Sequence, residues 1–306
     1  MYSSPYFSIC IPSFNRADTL HRCLDSLVSQ TYKNFEVILV DDGSTDLTEL
    51  LVNQYTNKLN LIYLKKSNGG KHTALNVGIR HASNTELFMI LDSDDWLRKD
   101  ALERFFNLWE INNLKSEASL CGIMLRCEDQ YGNFIGKRFP CSPYYIDYVT
   151  FHFGDTDYGD CNECIRTSII KQYQFPEPLK TKFVPEFYIF DQIGVKYRLH
   201  CSNEITELKE YREDGITLNS FEYVKKNWIG FFCALSCRLE KVVPFSRGRI
   251  SKRQILSMWY DYWRYCYYDK NGYGERVTKI TLIGYIGKFL FLFKRILVAL
   301  SIKEEV

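Results

Sequence analysis

The 306-residue chain has no apolar run near its C-terminus longer than Phe289–Phe293, which Lys288 precedes and Lys294 and Arg295 follow. A bilayer span takes about 20 consecutive apolar residues, so no transmembrane anchor is expected. Met1 to Pro5 lacks both a charged n-region and an apolar h-region, the two parts of a signal peptide. The eleven cysteines are odd in number and show no regular spacing, which speaks against a secreted disulfide framework and for a reduced, cytoplasmic setting. No G-x-G-x-x-G follows the first apolar run and no Walker motif is present, so dinucleotide-binding and P-loop NTPase readings lose their warrant. There is no internal repeat, and net charge is nearly lacking, at +2.

That small net charge hides a division. Residues 1–217 carry 23 Lys and Arg against 30 Asp and Glu, whereas residues 218–306 carry 16 against 7. An acidic working domain joined to a basic segment implies an anionic partner for the latter. Hydrophobic residues at 46% and charged residues at 25% are ordinary globular proportions, which excludes a disordered chain.

Short apolar runs at Phe7–Pro12, Phe35–Val40, Leu59–Leu64 and Leu87–Leu91 read as strands. Between them, Leu20, Leu24, Leu27 and Val28 fall at helical spacing, and Thr45–Tyr55 and Lys71–Ala82 are compatible with helices. This alternation predicts βαβ units: an α/β, Rossmann-like, mostly parallel sheet with helices on both faces, its core ending near Asp95. After a helix over Lys99–Trp109, Leu120–Arg126, a Gly132-Asn133 turn and Phe134–Arg138 read as an antiparallel excursion. From Thr217 onward aromatics sit among helix-permissive residues, predicting a helical C-terminal appendage.

In an open parallel sheet, ligands sit beyond the carboxyl ends of the strands. Here those ends read Pro12-Ser13-Phe14-Asn15-Arg16, Asp41-Asp42-Gly43-Ser44, Asn68-Gly69-Gly70-Lys71 and Asp92-Ser93-Asp94-Asp95. Carboxylates at i and i+2 on a buried strand end repel unless they share a cation, and Mg²⁺ or Mn²⁺ takes oxygen ligands together with substrate phosphates. Asp92 and Asp94 fit that pattern, and capping of the next helix is the alternative use of such a cluster. Cys161-x-x-Cys164 has no second pair, and His152, His200 and Cys201 lack a ligand spacing, so zinc is not expected there.

The opening ICIPSFNRADTLHRCLDSLVSQTYKNFEVILVDDGSTD, the middle NGGKHTALNVGI and ELFMILDSDDWL together resemble the inverting family 2 glycosyltransferases of the A-type nucleotide-sugar fold. GDCNECIRTSIIKQYQFPEP, KFVPEFYIFDQIG and YREDGITLN resemble the acceptor-side half and closing segment of a subgroup that builds bacterial cell-surface polysaccharides. The likeness covers about residues 6–215, and it implies a glycosyltransferase domain over 1–215, with a nucleotide-sugar half over 1–98 and an acceptor half over 99–215, before the region 216–306. It further implies that Pro12 and Phe14 meet the nucleobase and that Asp42, with Asp41 beside it, accepts a hydrogen bond from base or ribose. Asn68, Gly70 and Lys71 would pass near base and diphosphate. Asp94 would ligate the Mn²⁺ or Mg²⁺, Asp92 would touch ribose, metal or both, and Asp160 would line the sugar or acceptor pocket. The general base would be Glu186, with Asp191 as the second candidate.

The implied activity is metal-dependent, inverting transfer from a nucleotide-diphosphate sugar, with UDP-sugar the expected donor, to a cell-envelope glycan or lipid-linked saccharide. A sugar nucleotidyltransferase would need a glycine-rich basic opening loop, which is missing, and an inactive scaffold is the non-enzymatic alternative. Leu282, Ile286, Phe289, Leu290, Phe293, Ile296, Leu297 and Leu300 share one helical face, with Lys288, Lys294 and Arg295 away from its centre. This predicts a tail lying on the inner face of the membrane without crossing it, in preference to binding nucleic acid; packing on the protein itself or on a second subunit is the other use of such a face.

Overall fold

The computed structural model describes residues 4–177, 180–211, 220–274 and 276–301, with side-chain surroundings at all of these except 220–221 and 297–301. The closing segment beyond Tyr211, and Leu297 and Leu300 of the tail face, lie outside that description. The first half runs β1 (Phe7–Ser13), α1 (Leu20–Val28), β2 (Phe35–Asp41), α2 (Thr48–Asn53), β3 (Leu61–Lys65), α3 (Lys71–His81), β4 (Leu87–Ile90), β5 (Trp96–Leu97) and α4 (Ala101–Ile111). The second adds β6 (Leu120–Asp129), β7 (Tyr144–Ile146), α5 (Tyr148–Phe153), β8 (Cys161–Arg166), α6 (Thr167–Ile170), α7 (Phe187–Gly194) and β9 (Arg198–Lys209). The C-terminal helices are α8 (Ser220–Lys226), α9 (Trp228–Cys237), α10 (Lys252–Tyr268) and α11 (Leu282–Ser301).

One sheet contains all nine strands of the described residues, in the order β3-β2-β1-β4-β8-β6-β9-β5, with β7 paired to β9. Its first four strands are parallel, as expected. The sheet does not end near Asp95: β8 joins β4 antiparallel, β6 joins β8 antiparallel, and β9 joins β6 parallel, so the second half is mixed. β1 and β2 are buried at every position, which explains their unbroken apolar sequences. Their alternate residues feed two cores: Ile9, Ile11, Val37 and Leu39 meet α1 and α4, while Cys10, Ile38 and Val40 meet α3.

The expected strand over Phe134–Arg138 does not form; a lone bridge joins Glu128 and Phe134. The turn is present, held by the Asp129 carboxylate, which accepts from the backbone N–H of Tyr131 and Asn133. Beyond it the buried Arg126 guanidinium donates to the Ile135 and Tyr158 carbonyls, drawing the chain off the sheet edge.

The C-terminal helices form a third core around Phe232, Trp259 and Tyr262, which also takes Val149 of α5. α11 lies on α10 through Gly284 and Gly287, both against Trp259, and through Phe291; the Trp263 indole N–H donates to the Gly284 carbonyl at 2.9 Å. Lys288 and Arg295 rest over the rings of Trp263 and Tyr267. The opposite face, with Leu282, Ile286, Phe289, Leu290, Phe293 and Ile296, is exposed. The described part of the anticipated apolar face is therefore turned outward rather than into the core. No helix among the described residues is long and apolar enough to cross a membrane.

Candidate active site

A cavity of about 1010 Å³ opens at the carboxyl ends of the parallel strands. Pro12, Phe14, Asp42, Asn68, Gly70, Lys71, Asp92, Asp94, Asp160 and Glu186 all line it. Asp41 and Asp191 do not, and both are wholly buried.

The loop after β1 is tied to the loop after β2: Asn15, in the left-handed region at φ 51°, accepts from Thr45 N–H at 2.8 Å through its side chain and donates its own N–H to Ser44 Oγ at 2.9 Å. Phe14 is thereby left 44% exposed at the cavity, with a ring face free to stack. Asp42 closes the other side by accepting from the N–H groups of Gly69 (2.9 Å) and Gly70 (2.6 Å) and from Lys66 Nζ (2.7 Å). Its carboxylate is thus already a clamp on the 68–70 loop, whatever it offers a ligand. Asp41 lies off the cavity: it accepts from Ser44 N–H and Tyr63 Oη, 2.7 and 2.6 Å away, and holds the turn from beneath. Gly70 is required where it stands: its φ is 100°, and a Cβ there would sit 2.0 Å from the Lys182 carbonyl oxygen.

Charge is concentrated at the centre. Lys71 Nζ lies 2.6 Å from Asp92 Oδ1 and 2.9 Å from Glu186 Oε1, joining the end of β4 to the start of α7. Burial opposes the Lys71 ammonium, but the two carboxylates outweigh it and raise its pKa. Burial likewise opposes the Asp92 carboxylate, yet Lys71, with Lys209 behind it, holds its pKa below the usual range. Asp94 goes the other way, pushed up to about 6 by burial and by the neighbouring Asp92 and Asp95. The loop carrying it is fixed by Arg22, which donates to the Asp94 carbonyl at 3.0 Å, pairs with Glu210 at 2.5 Å and stacks on Trp96.

Glu186 stands at the N-cap of α7 without capping it, so its carboxylate is committed to the cavity and Lys71 rather than to the helix end. The segment before it is seated by α9, whose Gly230 lies so close to the Phe183 carbonyl that a Cβ would come within 1.8 Å of the oxygen. Asp191 also lies off the cavity. One oxygen is 2.5 Å from His152 Nδ1 and the other 2.5 Å from Arg238 Nε, so the side chain is enclosed in an ion-paired cluster under the cavity wall. Asp160 is in place, accepting from Tyr211 Oη at 3.1 Å.

Residues 8–173 match Glycosyl transferase family 2. The chain belongs to that family. A relative from Rickettsia typhi, an uncharacterised glycosyltransferase, is 30% identical over 76% of this chain and 73% of its own length. Glycosyltransferase GlyA of Streptococcus pneumoniae is 24% identical over 95% of the chain, but the chain spans only 37% of that protein. Among solved structures, Staphylococcus aureus TarS 1-349 in complex with UDP-GlcNAc shares the fold, with a TM-score of 0.60 at 19% identity over 94% of this chain and 79% of that one. Mannosyltransferase PcManGT from Pyrobaculum calidifontis, in complex with GDP-Man and Mn²⁺, has a TM-score of 0.57 at 17% identity over 85% and 72%.

Several polar groups of this family 2 site were not foreseen. Lys209 Nζ lies 2.7 Å from Asp95 and 2.8 Å from Glu207, and all three side chains are largely buried. The signal available was the i, i+2 spacing of Glu207 and Lys209 at the end of a strand, which puts both on one face. Glu163, on β8, lines the cavity, and burial pushes it up to about 8 against the pull of Lys209.

Proposed function

We propose that the chain is an inverting glycosyltransferase that moves a sugar from a UDP-sugar to a hydroxyl of a cell-envelope glycan or lipid-linked saccharide. The observation that carries this reading is the single Lys71 ammonium held between Asp92 and Glu186 in one cavity. It brings the carboxylate suited to accept a proton within reach of the group suited to diphosphate. The nucleotide sugars in the two solved neighbours support a nucleotide-sugar donor.

On the donor side, Phe14 offers a ring face to the base, Lys71 offers N–H donors to the diphosphate, and Asn68 and Gly70 shape the loop between them. Asp94 and Asp92 are the residues that would hold Mn²⁺ or Mg²⁺. The crowding of Asp92, Asp94 and Asp95, which raises Asp94, fits a divalent cation, and two carboxylates suffice when diphosphate oxygens supply further ligands. The ion, as found with GDP-Man in PcManGT, would act as a Lewis acid for the departing diphosphate. Glu186 takes the acceptor proton while the acceptor oxygen attacks the anomeric carbon opposite the leaving phosphate, and one displacement inverts that carbon.

Release of UDP from UDP-sugars in the presence of a glycan acceptor extract tests the reading, and absence of turnover with any nucleotide sugar rejects it. Thermal shifts with UDP-, GDP- and dTDP-sugars plus Mn²⁺ identify the nucleotide; a ligand at ~100 times its dissociation constant adds about 2.7 kcal/mol of stability. Lys71→Ala is expected to weaken UDP binding by roughly 10–100-fold in calorimetry, the loss of a charge-assisted contact, while the ranking of sugars is unchanged.

The outward face of α11 supports a cytoplasmic protein held peripherally on the inner face of the membrane. Leu282, Phe289 and Phe293 are 78%, 66% and 49% exposed, and the segment that carries them is basic. Changing these three residues to Ser in the full chain is expected to abolish flotation with anionic vesicles. Undiminished flotation assigns the anchor elsewhere, and a dimer that the substitutions dissociate would assign the face to a second copy.

A further inference from the structure

One wall of the cavity is used neither by the donor groups nor by Glu186. α5 and α7 lay Tyr148 parallel to Phe190, with rings 4.8 Å apart at 9°, and stack it on His152 at 6.1 Å. Phe187 meets the imidazole edge-on at 6.3 Å, and all four side chains line the cavity.

One polar group in this wall lacks the partner that burial demands. Tyr148 is 1% exposed, yet its hydroxyl has no hydrogen-bond partner among the described residues. His152 is oriented from behind: its Nδ1 is 2.5 Å from Asp191, whose other oxygen is taken by Arg238. A carboxylate paired with arginine can only accept, so Nδ1 carries a proton, and in the neutral imidazole Nε2 is then the acceptor. Asp191 is thus a positioning residue that sets the polarity of His152.

We propose that this wall is the acceptor subsite and that it takes an uncharged pyranose, its C–H face against the aromatic rings and one hydroxyl donating to His152 Nε2. The proposal rests on the glycosyl-transfer reading above and adds the chemical class of the acceptor. A pyranose presents an apolar face rimmed by hydroxyls, which matches stacked rings bordered by a hydroxyl and an imidazole. The wall belongs to the elements that flank Glu186, since α7 begins at the next residue, so a sugar seated here offers its hydroxyl to that carboxylate. Charge selects against anionic acceptors. Nine carboxylates line the cavity, Glu163, Asp160 and Glu186 among them, against the five cations of Arg16, Lys71, Lys182, Lys209 and Lys226, and Lys71 and Lys209 are each already held between two of those carboxylates. Burial, the main cause of the raised Glu163, and the neighbouring Glu186 and Asp160 would equally oppose a uronate or a polyol phosphate.

The test uses the full chain. Saturation-transfer NMR without donor reads binding of p-nitrophenyl glucoside, galactoside and N-acetylglucosaminide against the glucuronide and ribitol phosphate, while calorimetry with UDP reads the donor site separately. Neutral pyranosides are expected to bind at least ~10-fold more tightly than the anionic compounds, and to raise UDP release. Tyr148→Phe, which is nearly isosteric, and His152→Asn are each expected to raise acceptor KM ~10-fold with UDP affinity unchanged. Asp191→Asn faces Nδ1 with an amide N–H, moves the imidazole proton to Nε2 and is expected to reproduce the His152→Asn KM at unaltered UDP affinity. Equal binding of anionic sugars, no binding of any pyranoside, or variants that leave acceptor KM unchanged would overturn the subsite. Loss of UDP binding in the unaltered protein would instead overturn the donor reading.

Discussion

Glu186→Gln is expected to lower turnover by about 10²–10⁴-fold, the usual contribution of a general base, while leaving the dissociation constant for UDP-sugar within twofold of the unaltered protein. The amide keeps the size of the carboxyl but cannot take the acceptor proton. Donor affinity is spared because Lys71 retains Asp92, 2.6 Å away, after its 2.9 Å contact to Glu186 is neutralised. The fold is spared because Glu186 does not cap α7. Calorimetry for binding and UDP release for turnover separate the two quantities. A variant with undiminished turnover, alongside an Asp191→Asn protein with kcat reduced by the same factor, would transfer the base to Asp191. The geometry is set against that outcome, since Asp191 is enclosed by His152 and Arg238 and has no surface on the cavity.

The contrast between these two acids shows where sequence reading stops. Glu186 stands at the N-cap of α7 and Asp191 lies five residues on, inside the helix, and both are compatible with a family base. What decides between them is Arg238, 47 residues beyond Asp191, whose guanidinium packs 3.5 Å from the Phe187 ring and closes the ion pair. Contacts of that range leave no local mark. Asp41 and Asp42 pose the same problem at shorter range. Adjacent residues at a strand end point to opposite sides, so one carboxylate reaches the cavity and the other goes under the turn to Tyr63.

The parallel half of the sheet was legible because strands buried on both faces must be apolar throughout, as β1 and β2 are. The mixed half was not, for a corresponding reason. β9 carries Glu204, Glu207 and Lys209; Lys209 pairs with Glu207 and Asp95 inside the fold, while Glu204 pairs with Arg104 nearer the surface. Its sequence therefore has the polarity of a surface segment while half of its length is buried. The clustering of Asp92 and Asp94 at a strand end was readable from spacing, whereas the lysine between Asp92 and Glu186 needed the fold to bring α7 across the sheet.

Asp94→Asn is expected to abolish Mn²⁺-dependent donor binding and, in the same protein, to increase stability at neutral pH. The activity loss follows from replacing the carboxylate that would ligate the metal by an amide, a far weaker ligand for a hard divalent ion. The stability gain follows from linkage. Burial and the charges of Asp92 and Asp95 raise the folded-state pKa of Asp94 to about 6, from an ordinary value of 3.8. Between those values the folded protein binds more protons than the unfolded chain, so stability falls as pH rises through this window and the full penalty is present above it. Each pKa unit corresponds to about 1.4 kcal/mol, and partial exposure of the side chain reduces the effect, leaving about 1–2 kcal/mol to be recovered by the neutral amide at pH 7.5. Below pH 4 the two proteins should have equal stability. Urea denaturation at pH 4 and pH 7.5, without added metal, measures the difference, and Mn²⁺ titration in the presence of UDP measures the loss of function. A variant that is destabilised at pH 7.5, or that binds UDP in a fully Mn²⁺-dependent manner, would show that Asp94 is held by partners of its own and does not await a cation.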